Sequence, residues 1–133
     1  MGLRAVVFDR CTTHAGLSAL IGSRCYPDRL PESVTLPALV HHSPVSDNDA
    51  EYRTHSNVNN PVTRTVSRVQ FDYYAKTGDQ AELGGDQLFQ AWSGYQSDDC
   101  DVGYAFIANR FATREDALKM FRQVIDVMVE HSV

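Results

Sequence analysis

Long apolar runs are missing from this sequence. None approaches the roughly 18 residues a helix needs to cross a bilayer, so no membrane span is expected. Positive charge is scarce: 12 Lys and Arg stand against 17 Asp and Glu, leaving −5 with neutral His. A small domain of that sign is a poor gripper of nucleic acid, whose phosphates demand a basic surface. Cysteine is scarce and odd in number, with Cys11, Cys25 and Cys100 far apart. Arg4, Asp9 and Arg10 interrupt the N-terminal segment before a signal-peptide core can form. The myristoylation pattern fails at Val6, where it wants Ser or Thr. Together these features fit free thiols and synthesis in the cytoplasm, with Cys11 and Cys25 as small buried hydrophobes. Phosphate loops, dinucleotide fingerprints, nucleophile elbows and zinc-finger spacings are also missing.

What is present is a chain of 133 residues, 43% hydrophobic. That length predicts a single domain over 1–133, and that apolar fraction excludes a disordered chain. Leu3, Val6, Val7, Arg10 and Cys11 keep helical spacing. Leu17, Leu20 and Ile21 suggest a second short helical turn stopped by Gly22. Pro27, Pro31 and Pro37 pin an extended segment, and 35–43 reads as a strand with Pro37 at its start or edge. From Ser46 to Pro61 apolar residues almost vanish. This stretch is either a long polar connection or a two-stranded ribbon with a polar tip.

Val62 to Ala75 is the clearest strand. Thr65, Ser67, Val69, Phe71, Tyr73 and Ala75 share one face; Val66, Arg68, Gln70, Asp72 and Tyr74 share the other, which is mostly polar. Thr77-Gly78-Asp79 opens a helix over about 79–92. Gly84-Gly85 inside it either breaks it or lets something pack closely. Val102 to Ala112 reads as a strand. The last segment alternates and keeps helical spacing equally well, so periodicity leaves it open between strand and helix. The pattern predicts an α+β fold: an antiparallel β-sheet with two helices packed on one face, and a long polar loop or hairpin between early strands.

Candidate chemistry is sparse. His41 and His42 are adjacent, so on a strand they point to opposite faces and cannot readily share a metal. Asp47 and Asp49 nearby could add oxygen ligands, which makes a small metal-assisted enzyme using these four residues one alternative. The plainer reading is a strand end entering a solvated segment. Asp98, Asp99 and Asp101 lack the glycine and terminal glutamate of a calcium loop and read as a solvated acidic turn. Asp99 and Asp101 would raise, not lower, the pKa of a Cys100 thiol. Phe71, Tyr73 and Tyr74 resemble a base-stacking platform, yet without a basic field they read as core. A small ligand-binding or regulatory dimer is a third class. A full core with no reactive cluster reads best as a binding or assembly module, with no catalytic residues, no metal and no cofactor.

The order of several short elements adds a family resemblance. Ala19 to Pro27, then Leu30-Pro31, then Leu36 to Val40 resemble the N-terminal half of tailed-phage tail completion proteins, also called tail terminator or tail-to-head joining proteins. Arg68 to Ala75 is similar to that family's Val-Gln-hydrophobic-Asp strand. Met120 to Val129 resembles its final strand, which tips the open last segment toward strand and makes Thr113 to Leu118 a turn or short helix.

The resemblance implies a structural virion protein, assembled in the host cytoplasm and located at the tail–head junction. Its copies would form a ring, usually of six, that ends the tail tube and docks to the head connector or stopper protein, while DNA passes through without specific binding. A neck or head-completion role is the near alternative. Asn48, Glu51, Arg53, His55, Asn57 and Arg64, in or beside the polar connection, are the expected assembly residues. Asp47, Asp49, Asp98, Asp99 and Asp101 are the expected lumen-facing acids.

Overall fold

The computed structural model describes residues 2–53, 63–97, 102–117 and 119–132. Its elements run α1 (Leu3–Thr13), α2 (Ala15–Ile21), β1 (Cys25–Pro27), β2 (Ala38–Arg53), β3 (Thr63–Ala75), α3 (Gly78–Trp92), β4 (Val102–Glu115) and β5 (Met120–Ser132). The strands form one sheet in the order β1-β2-β3-β5-β4. Every neighbouring pair is antiparallel except β1 and β2. The α+β expectation holds, with a short parallel edge strand and the small helix α2 added to it.

Local chemistry explains the helices. In α1, Val7 and Cys11 are buried and Leu3 and Val6 pack beside them. The His14 ring nitrogen Nδ1 accepts the Leu17 N–H at 3.3 Å and so caps α2. Gly22 ends α2 with φ +58°, a conformation that costs glycine little. Thr77 caps α3 by accepting the Gln80 N–H, and Asp79 sits in its positive first turn. At the other end of α3, the Arg10 guanidinium donates to the Ala91 carbonyl at 2.8 and 2.9 Å, placing a cation against the negative helix terminus.

The glycine pair does not break α3. A Cβ at Gly84 would land on the Tyr73 ring, and one at Gly85 would meet the Arg110 and Gln123 side chains. The pair therefore lets α3 lie directly on β3 and β5. Beneath it Val69, Phe71, Tyr73, Ile125 and Val127 form the sheet's contribution to the core, with Trp92 from α3 and Leu17 and Ile21 from α2. The alternation read from β3 is the one observed: Ser67, Val69, Phe71, Tyr73 and Ala75 are buried under the helices.

The polar stretch after Ser46 resolves as ribbon up to Arg53. Ser46↔Arg68, Asp47↔Ser67 and Glu51↔Thr65 pair across β2 and β3, with register shifts between His42 and Ser46 and between Asp47 and Glu51. Backbone hydrogen bonds need no apolar side chains, which is why a strand can persist where hydropathy fades. The ribbon is also braced, since β5 pairs with β3 from Ala75↔Phe121 to Arg64↔Ser132. Residues 54–62 lie outside the described residues.

The last segment is strand, as the resemblance implied. Of the turn or short helix expected over Thr113 to Leu118, only the turn at Asp116 and Ala117 is present: β4 continues through Thr113↔Arg122 and Glu115↔Met120, and Leu118 lies outside the described residues. Met120 onward offers a ladder partner, and that pairing overrides the helix-start signal in Thr113-Arg114-Glu115-Asp116.

Candidate functional site

The residues nominated from the polar connection divide into two groups. Asp47, Asp49, Asn48, Glu51 and Arg53 fall on β2 and Arg64 on β3. His55, Asn57, Asp98, Asp99 and Asp101 lie outside the described residues, as does Cys100. Within β2 and β3 the ladder brings Arg64 opposite Tyr52, one residue from Arg53 and Glu51. That backbone register brings Glu51, Arg53 and Arg64 together, whereas Asp47 pairs farther along the ladder, with Ser67.

His41 and His42 do point to opposite faces. His41 shares the core side with Leu39 and Phe71 and hydrogen-bonds Ser43 Oγ at 2.9 Å. His42 lies on the open side, 3.2 Å from Asp72 Oδ2 and 4.0 Å from Asp28. Among the described residues, no three His, Cys, Asp or Glu side chains converge as a metal site would require.

Burial, with the Arg4 charge beside it, pushes His41 down to about 4, while Asp28 pulls weakly the other way and His42 adds to the lowering. The ring is only 2% exposed. From its ordinary 6.5 down to about 4, the unfolded chain binds a proton that the folded protein refuses. Stability from this group is therefore full above 6.5 and is lost as pH falls toward 4, by about 2 kcal/mol at pH 5. Urea midpoints at pH 7 and pH 5 measure this. A His41→Gln variant should lose less stability over that interval than the parent; an equal loss in both would assign it to other groups.

The open side of the sheet is the surface on which several elements converge. Arg68 reaches across from β3 to β5 and donates to Asp126 Oδ2 at 2.8 Å. Gln70 donates to Asp72 at 3.1 Å. Arg122 of β5 donates to Thr113 at 3.0 Å and lies 3.4 Å from Glu115. A shallow basin of about 410 Å³ runs between Asp28, His42, Asp72, Tyr74 and Arg122. Asp72 and Asp126 are nearly buried here: Asp28, Arg29 and Leu30 border the basin beside Asp72, and the paired His42 and Arg68 lean over the two carboxylates. These pairs fix side chains in place and leave little free charge, so the centre of the face suits contact more than catalysis.

Beside this polar centre lies an aromatic row that sequence reading passed over. Tyr104, Phe106 and Phe111 of β4 are exposed by 51, 46 and 45%. Register places all three on the open side, opposite Glu130, Met128 and Val124. The Tyr104 and Phe106 rings stand 6.2 Å apart. A strict period of two puts Phe111 on the other face. The irregularity between Ile107 and Asn109 shifts the phase and brings it round.

An open sheet face with a fixed polar centre and an aromatic margin has the composition of a contact surface. The sequence matches the family described as tail completion protein gp17 over residues 5–131. The chain belongs to that family. It is accordingly a structural protein of a phage tail, and the virion is its place. No curated protein matches it. Among solved structures, a chain described as virion of native gene transfer agent (GTA) particle shares the fold, with a TM-score of 0.66 at 16% identity. That match covers 98% of this chain and 95% of the other. The paired His42 and Asp72 belong to the polar centre of the open face.

Proposed function

We propose that this tail completion protein is a ring-forming terminator. Copies of a single domain, six in the simplest case, close on the head-proximal end of the tail tube, stop its growth and dock to the head connector or stopper protein. The observation that carries this reading is the family match over residues 5–131. The open sheet face and its aromatic margin support it, because a ring subunit needs contact surfaces and no active site. The protein is a scaffold and not an enzyme. Asn48, Glu51, Arg53, His55, Asn57 and Arg64 contribute to subunit contacts.

The acids Asp47, Asp49, Asp98, Asp99 and Asp101 face the lumen. At −5 per chain, six copies carry about −30. Like charge lets DNA pass without being held. Electron microscopy of tails assembled without the protein tests the function. Tubes of uncontrolled length that fail to join heads are expected. Tubes of normal length joined to heads would refute the terminator role, and tubes of normal length left unjoined would move the protein to the neck.

A further inference from the structure

We propose that the groove at the Lys76 and Lys119 end of the sheet is a docking site for an acidic, apolar segment of a neighbouring virion protein. This rests on the assembly reading and gives one protein partner a place on the subunit.

Three strands end together there. Leu36 stands two residues before β2 opens at Ala38, Lys76 directly follows β3, and Lys119 directly precedes β5. The pairs Ala38↔Tyr74 and Ala75↔Phe121 hold these ends side by side. With the proline-pinned segment before β2 they enclose a groove of about 620 Å³, whose apolar lining is Leu30, Pro31, Val34, Leu36 and Met120. That volume falls within the roughly 300–1,000 Å³ typical of ligand clefts, room for more than one side chain.

The charge of the groove is unlike that of the rest of the chain. Lys76 and Lys119 are the only two lysines in the sequence, and both line it. Both are exposed, and among the described residues neither has an ion pair or a side-chain hydrogen bond. The acids around them do not answer that charge. Glu115 lies against Arg122 and Asp116 against Arg114. Glu32, the one acid in the lining, and Asp79 in the first turn of α3 pair with neither lysine. The groove therefore carries net positive charge on a chain of −5.

The backbone adds an independent sign. Lys119 is held at φ +54°, in the left-handed region where glycine is the unstrained residue. Its N–H reaches the Asp116 carbonyl at 3.3 Å and closes the turn into β5. A lysine placed where glycine fits more easily points to a use for its side chain.

Apolar walls with two free cations fit an aliphatic or aromatic side chain flanked by Asp or Glu. The side chain gains by leaving water, and its carboxylates meet the lysines. A DNA backbone offers phosphate to lysine but nothing to cover Leu30, Val34 and Met120, and the net charge of the chain opposes it.

Having only two lysines makes the test direct. An acetylating succinimide ester is applied to the free protein and to assembled tails, and both lysines are followed by mass spectrometry. Both should react in the free protein and lose most of that reactivity in tails. Zero-length carbodiimide coupling of the same tails should join Lys76 or Lys119 to an Asp or Glu of another protein, in a peptide with an aliphatic or aromatic residue beside it. Lysines as reactive in tails as in the free protein would overturn the proposal. Shielding without coupling to another protein's carboxylate would overturn it too. The cover is then DNA where nuclease restores reactivity, and a second copy where isotope-mixed protein couples to itself.

The double variant Lys76→Glu with Lys119→Glu, checked for folding by circular dichroism, should be lost from tails, while Lys76→Arg with Lys119→Arg is retained. Parental incorporation of the glutamate pair counts against the site. Tube length is scored on the same preparations. Unshielded lysines in tails that still need the protein in order to end remove the docking site alone. Shielded, coupled lysines with normal tails in the protein's absence remove the terminator role alone.

Discussion

Replacing Trp92 with alanine should destabilise the protein by about 3–5 kcal/mol, the range for removing a large aromatic from a packed core. Trp92 is fully buried at the C-terminal end of α3. Its ring lies 5.5 Å from Phe71 on the sheet and 5.5 Å, edge-on, from Tyr95. Arg10 of α1 sits 4.0 Å over the Tyr95 ring, so this stack joins sheet, α3 and α1. Deleting its centre removes contacts from three elements at once, and the cavity left cannot collapse without moving all of them. Urea unfolding followed by circular dichroism measures the loss. Trp92→Phe gives the control. The indole N–H is buried without a well-formed hydrogen bond among the described residues and has only the Cys11 thiol near it, so phenylalanine sacrifices mainly volume. A phenylalanine variant as damaged as the alanine one would show that volume is not what Trp92 supplies.

The second large effect is expected at Gly84. Gly84→Val should cost about 3 kcal/mol or more, because overpacking a close contact forces side chains and backbone apart. In an exposed helix the same change would be close to neutral or favourable, since glycine is the poorer helix former. Here the added carbons meet the Tyr73 ring, which is buried between α3 and the sheet, where burial also holds its hydroxyl proton up to about 12. The cost should fall by at least half in a Tyr73→Leu background, where the ring is gone. Additive losses in the double variant would disprove direct collision. Gly85→Ala should be milder, because the Arg110 and Gln123 side chains that it meets end in flexible polar groups.

Much of the fold is legible in the sequence, and for identifiable reasons. The strand β3 shows itself because one face is under helices and the other is not, so alternation survives. Helix α3 announces its start through Thr77 and Asp79. The short β1 leaves almost no signal, since three residues ending in proline read as any extended stretch. The strand β5 is ambiguous for a physical reason. It is buried on both sides over much of its length, with Val124 and Asp126 on the open side as hidden as Ile125 and Val127 beneath the helices. A strand covered on both sides has no alternation to display.

The site was harder to read. Polarity and length draw attention to the connection after Ser46, and the nominated residues belong in sequence to that stretch or to the acidic stretch 98–101. The aromatic row of β4 was visible as letters but not as a surface. Tyr104 and Phe106 share a face in any strand, yet Phe111 joins them only through a shift in register that single-sequence periodicity does not contain. The same blindness affects Arg68. Its partner is Asp126, 58 residues away in sequence, and not the nearby Asp72, which is taken by His42 and Gln70.

The long braced ladder has a mechanical meaning. The strands β3 and β5 pair along nearly their whole length, from Ala75↔Phe121 to Arg64↔Ser132, a span of about 40 Å at the usual rise per residue. Tension applied between the two ends of the sheet runs along these strands, and the hydrogen bonds between them resist together, as rivets do in shear. Tension applied sideways at β4 meets its bonds a few at a time, as in tearing cloth along a seam. The subunit is a strut in one direction and a peelable flap in the other.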